Sequence, residues 1–141
     1  MSSLETSVAL SAEDVRFFEE NGYVKGGRVL DDAQIAALRD GLEAIRSGRN
    51  PRISELYEVD EDYRRDPERN VFHFLGAWLI DAAFHDVLFH AAITVKAAQL
   101  LGTEHVRFWH DQVFYKPPRH PGVVTWPRTI PTGRGRRPPA T

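Results

Sequence analysis

Apolar positions recur at helical spacing through the first part of the chain and at strand spacing near residues 106–116. Residues 1–10 form a polar lead that is expected to fray. Ser11 then stands before a run in which Val15, Phe18 and the later Tyr23 share one stripe, with Glu13 and Asp14 in the first turn. A hydroxyl in that position accepts from the unpaired N–H groups of a helix start, and acids there meet the positive end of the helix dipole. Gly22 supplies a stop, and Tyr23 to Lys25 reads as a short strand. Asp31 or Asp32 opens a second helix, in which Ile35, Leu38, Leu42 and Ile45 recur until Ser47-Gly48.

Residues 49–70 are charged and irregular, with Pro51 and Pro67 as breakers. They read as a surface loop, either a plain connection or one bordering a site. Val71 to Leu75 is a short strand or buried segment. Asp81 is placed to cap a helix carrying Phe84, Val87 and Leu88, and a further helix from Ala91 to Leu101 closes at Gly102. Val106 to Lys116 alternates as a strand. On it Trp109, Asp111, Val113 and Tyr115 share one face, and His110, Gln112, Phe114 and Lys116 the other. After a Lys-Pro-Pro turn, β pattern resumes from Gly122 to Trp126. Helices first and strands last predict an α+β fold with helices packed on a sheet. So few strands leave one sheet face uncovered.

Length and composition narrow the classes. A chain of 141 residues is one domain at most. Without cysteine, neither a disulfide frame nor a thiolate metal site is available. No apolar run approaches a membrane span, and the N-terminus lacks a basic region followed by an apolar core, so the expected setting is the cytoplasm. All 20 acidic residues precede Pro127, against 14 of the 18 basic ones, a net of −6 for residues 1–126. That balance argues against nucleic acid as a partner. The last stretch, residues 127–141, carries Arg128, Arg134, Arg136 and Arg137 and no acid, the composition of a disordered tail.

Six histidines raise the question of metal. A mononuclear iron site needs two histidines and a carboxylate, and on a strand a His-x-Asp pair places both on one face. No such pair occurs. His85-Asp86 and His110-Asp111 are adjacent, so on a strand their side chains point to opposite faces. His85 and His90 are five apart, which is off a single helix face. The histidines therefore read as surface or packing residues. Phe108, Trp109, Phe114 and Tyr115 make a dense aromatic strand, suited to core packing. Lys116, at the strand end, is either an exposed lysine or a cation at the mouth of an anion pocket.

LSAEDVRFFEENGYV, then VLDDAQIAALRDGLEAI, then the LLG helix end, VRFWHDQVFYKPP and VVTW resemble the first half of the phytanoyl-CoA dioxygenase family, over residues 8–126. The resemblance implies a double-stranded β-helix, or jelly roll, preceded by helices. It implies an Fe(II)- and 2-oxoglutarate-dependent hydroxylase of a small molecule or acyl thioester. Trp109, Gln112, Tyr115 and Lys116 are then the residues expected to line the parent's cofactor pocket. Since they sit on both faces of one strand, a pocket on one face cannot use them all.

In that family the tryptophan is followed by His-Gln-Asp-Tyr-x-Tyr-Trp, whose His and Asp bind iron. A second His and an Arg for 2-oxoglutarate come much later in the family pattern, beyond Thr141. Here the first two positions hold Pro127 and Thr129. Proline has no donor side chain, and threonine is a poor neutral ligand. One lost base accounts for the change. TGG CAC CAG GAC TAT CCC TAC TGG encodes the family motif. Deleting the A of CAC gives Trp-Pro-Arg-Thr-Ile-Pro-Thr-Gly, the residues at 126–133. The expectation is a family domain over residues 1–126, truncated before its iron-binding core, and a frameshifted tail over 127–141. Such a chain binds neither Fe(II) nor 2-oxoglutarate and is inactive. The competing expectation is a non-catalytic module that self-associates or binds a partner through its uncovered strands.

Overall fold

The computed structural model describes residues 8–59, 65–66 and 71–120. Most of the polar lead, the Pro67 breaker, the expected strand at Gly122–Trp126 and the tail at 127–141 lie outside the described residues.

The first two helices begin where their caps predict. Helix α1 spans Ala12–Asn21 and is opened by Ser11. The Ser11 hydroxyl accepts from the Asp14 N–H at 3.1 Å and the Asp14 carboxylate accepts from the Ser11 N–H at 3.1 Å. The Ser11 hydroxyl also donates to Asp14 Oδ2 at 2.7 Å, and this bond first, then that from the Ser11 N–H, stabilises the ionised carboxylate and holds Asp14 below its ordinary value of 3.8. Gly22, at φ 78°, closes the helix by donating to the Phe18 carbonyl. Helix α2, Asp32–Arg46, has the same reciprocal arrangement between Asp31 and Gln34, at 2.7 and 2.9 Å. Tyr23 to Lys25, expected as a strand, has no ladder partner and runs as an irregular connection.

A 3₁₀ turn at Ile53–Glu55 interrupts the charged loop. Strand β1 is Phe72–Phe74. A four-residue helix, α3 (Ala77–Ile80), follows it and has no counterpart in the sequence reading. Helix α4, Ala82–Leu88, is capped by Asp81, whose Oδ1 accepts from Ala83 N at 2.9 Å and Phe84 N at 3.2 Å. Helix α5, Ala91–Leu101, ends at Gly102 in the left-handed region. Its polar groups point inward. Lys96 is buried and donates to the Gly26 carbonyl at 2.7 Å, while the Gln99 amide exchanges two hydrogen bonds with the Leu10 backbone. The outward side chains of Val95 and Leu101 are exposed. Helix α5 thus fastens the segment before α1 and the loop after it through hydrogen bonds to backbone.

Strand β2 is Val113–Tyr115, antiparallel to β1, with Phe72 opposite Tyr115 and Phe74 opposite Val113. Only three of the residues from Val106 to Lys116 form a ladder. The alternation holds from Asp111 on, where Asp111, Val113 and Tyr115 are half-buried and Gln112, Phe114 and Lys116 exposed, but it fails from Val106 to His110, which are all exposed, Trp109 included. A strand also needs a neighbour for its N–H and C=O groups, and β1 is too short to supply one beyond Val113. An isolated bridge joins Tyr57 to Leu75, just past the end of β1. The result is a mixed helix and strand fold around a small two-stranded antiparallel sheet.

Ile45 of α2, Phe72 and Phe74 of β1, and Ala77 and Ile80 of α3 form the buried core, with Phe84, Val113 and Tyr115 packed against it. Among the described residues, no helix is long and apolar enough to cross a membrane.

Helices α2 and α4 meet at Gly41, where an added Cβ would lie 2.6–2.9 Å from the Asp81 carboxylate. In a free helix, Gly→Ala stabilises by about 1 kcal/mol. Here the methyl group displaces the cap of α4, so the expected sign is reversed. The lost N-cap, about 1–2 kcal/mol, outweighs the propensity gain, so Gly41→Ala should lower stability by up to about 1 kcal/mol. Urea denaturation reads this directly, and an unchanged or higher midpoint would contradict the packing described.

Candidate functional site

The carboxylate of Asp111 sets the geometry of the WHDQ segment. Its Oδ1 accepts from the Gly76 N–H at 2.7 Å and its Oδ2 from the Trp78 N–H at 3.0 Å. A residue 35 positions later in the chain thereby satisfies the free N–H groups at the start of α3. Gly76 is suited to this junction. Its φ is 94°, and an added Cβ would lie 2.8 Å from Tyr57 Cε1. The Trp78 ring meets Phe108 edge-on, 5.4 Å between centroids. Residues 108–111 are therefore fastened at both ends of a short run, with Trp109 and His110 between.

Trp109 is 87% exposed. With His110 and Gln112 it forms one wall of an open groove of about 360 Å³, and Tyr57, Glu58 and Leu75 form the other. Tyr57 is held by two backbone hydrogen bonds with Leu75, at 3.1 and 2.9 Å. Glu58 follows at φ 51°, an uncommon value for a residue with a Cβ, and is among the residues lining the groove. His110 Nδ1 sits 3.2 Å from the Asp111 carbonyl oxygen. Within each adjacent wall, aromatic surface is mixed with a few polar groups, the usual make-up of a small-molecule site.

The four residues singled out from sequence separate into two places. Trp109 and Gln112 line the groove. They do so although they lie on opposite faces in the alternation, because residues 109–112 are irregular. Tyr115 packs against the core, with the Arg46 guanidinium 5.2 Å from its ring centroid. Lys116 is exposed beyond the end of β2, outside the groove lining. Four groove residues were not foreseen: His110, which read as a surface or packing residue, and three from elsewhere in the chain. Tyr57, Glu58 and Leu75 come from the charged loop and the end of β1, and only their position in a long loop hinted at a site. His73 stacks on Phe114 across the sheet at 4.4 Å, and its buried Nε2 has no hydrogen-bond partner among the described residues.

Removing the Asp111 carboxylate leaves two backbone N–H groups unpaired at a part-buried junction. Asp111→Ala should cost about 1–3 kcal/mol. His110→Ala, at an exposed neighbouring position, should fall within about 0.5 kcal/mol of the parent. Chemical denaturation of the pair checks both values; equal effects would contradict a capping role for Asp111.

Among the described residues, no three His, Cys, Asp or Glu side chains are grouped to hold a metal ion. The model of the phytanoyl-CoA dioxygenase family matches residues 18–140, which takes in the end of α1, helices α2 to α5, the WHDQ segment and the positions of Pro127 and Thr129. No curated protein and no solved structure matches the chain. With the family match covering most of its length, the chain belongs to the phytanoyl-CoA dioxygenase family.

Proposed function

We propose that residues 8–126 are the first half of an Fe(II)- and 2-oxoglutarate-dependent hydroxylase domain of jelly-roll type, acting on a small molecule or acyl thioester. We further propose that the chain as written does not catalyse. The observation that carries the second part is the pair of side chains after VVTW. Where the family has His and Asp, this chain has Pro127 and Thr129. The remaining carboxylate of the WHDQ segment is committed elsewhere, since both Asp111 oxygens accept backbone hydrogen bonds. These donors do not fit a two-histidine, one-carboxylate iron centre. That conclusion depends on side-chain chemistry, whatever reading frame produced the residues. A lost base in the His codon remains the proposed origin of 127–141, with an active oxygenase as its ancestor.

The test is 2-oxoglutarate decarboxylation with added Fe(II) and O₂. No release of CO₂ above the iron-only control is expected. Turnover by the 141-residue chain would overturn the inactive reading. Resequencing through the Trp126 codon separates the two origins. A second frame continuing with a His-Gln-Asp motif supports the lost base, and its absence refutes it.

A second reading is supported by the sheet. Phe114 is 53% exposed on a strand whose second edge has no partner among the described residues, a geometry suited to self-association by strand pairing. Sedimentation at several concentrations should then show a stable dimer that Phe114→Lys converts to monomer. A monomer at all concentrations would end that reading.

A further inference from the structure

The end of α1 carries the chain's one Asn-Gly pair. Of the three asparagines, Asn50 precedes a proline, whose nitrogen carries no proton, and Asn70 precedes a β-branched valine. Asn21 precedes Gly22, which has no side chain to hinder attack by its own amide nitrogen. Both residues are exposed, and apart from chain neighbours no heavy atom lies within 4 Å of the place a Cβ would take on Gly22. In the closed turn both reacting groups are occupied. Asn21 Nδ2 donates to the Phe17 carbonyl at 2.9 Å, and the Gly22 N–H donates to the Phe18 carbonyl at 2.8 Å. The Tyr23 ring meets Phe17 edge-on, 5.4 Å between centroids, and so holds the chain after Gly22 against the helix.

This turn can open without the rest of the fold. Leu10, ahead of α1, exchanges two hydrogen bonds with Gln99, and the Gly26 carbonyl accepts from Lys96. Both anchors stand on α5, so residues 10–26 stay fastened at each end while the last turn of α1 frays between them. A helix end opens at a far smaller free energy than a whole domain. Local charge favours that opening. Glu19 and Glu20 lie at the negative end of the helix dipole, and the last turn of α1 holds no basic residue.

We propose that Asn21 is a site of deamidation, converted to aspartate and isoaspartate through local opening of the last turn of α1. In the opened turn the Gly22 amide nitrogen gives its proton to hydroxide and attacks Asn21 Cγ. The new N–Cγ bond closes a succinimide ring, the Cγ–Nδ2 bond breaks, and ammonia leaves with a proton from water. One water then opens the ring. Attack at Cγ gives aspartate, and attack at the backbone carbonyl carbon gives isoaspartate, whose main chain is longer by one CH₂. The net change takes up one water and releases one ammonia, with no oxidation or reduction. Either product replaces the donor to the Phe17 carbonyl with a carboxylate at the negative end of the helix. The turn therefore does not close again as before, and the modification runs one way. It uses neither iron nor 2-oxoglutarate and stands apart from the hydroxylase reading.

The full chain is incubated at neutral and at mildly alkaline pH. Isoaspartate is read by enzymatic methyl transfer, and its position by peptide mass spectrometry in heavy-oxygen water. Conversion at Asn21 is expected in the folded chain, faster as the pH rises because the attacking nitrogen must lose its proton. Asn21→Gln should remove the signal. Full unfolding in guanidinium chloride frees both reacting groups and should raise the rate several-fold. Denaturant below the unfolding transition should leave the rate flat, since a local opening exposes little new surface. Tyr23→Ala, at an exposed position, should raise the folded rate about two- to tenfold, the worth of one aromatic pair, and leave the unfolded rate unchanged. No conversion at Asn21 in the folded chain, or equal folded and unfolded rates, would overturn the proposal. So would a rate that climbs with denaturant in step with global unfolding, or no effect of Tyr23→Ala.

Discussion

The Asp111 carboxylate is the interaction on which the local architecture depends. Helix α3 has four residues, too few to be stable on its own. Its N–H groups at Gly76 and Trp78 would be unpaired without an acceptor, and Asp111 supplies both bonds. The same two bonds fix where the chain passes after α5. From that point β2 is placed in register with β1, and Val113 and Tyr115 reach the core formed by Ile45, Phe72 and Phe74. One acid thus joins a helix start, a sheet register and the presentation of Trp109. This explains why an acid stands in a segment that is otherwise aromatic.

The helical part was legible because each end carries its own local chemistry. Ser11, Asp31 and Asp81 act as caps, and Gly22 and Gly102 end their helices, all within a few residues of where pattern places them. Such signals are short-range and survive in a single sequence. Strand pairing is not short-range. The alternation from Asp111 to Lys116 correctly gave the two faces but not the length of the ladder, because that length is decided by β1, some forty positions earlier. Helix α3 escaped for the same reason. Its cap is a distant aspartate, which no window around Ala77 contains.

The groove was half legible. Trp109 and Gln112 stood out through an aromatic, strand-like pattern, whereas Glu58 lay in a charged loop where no acid differs from the next. Only the Tyr57–Leu75 bridge brings that loop beside the WHDQ segment. Tyr115 and Lys116 share the sequence motif with Trp109 but not its location. Membership in one motif therefore does not mean membership in one site. Two residues of the strand serve the core and its margin, and the irregular part before it serves the groove.

Family membership and chemical competence rest on different sets of residues. A family match records a pattern spread over many residues, most of which cap, pack and turn. Iron chemistry rests on very few. The helix caps, the Asp111 clamp and the buried core are built from residues between Ser11 and Tyr115. Losing the clamp would disturb the presentation of Trp109 and the register of β2.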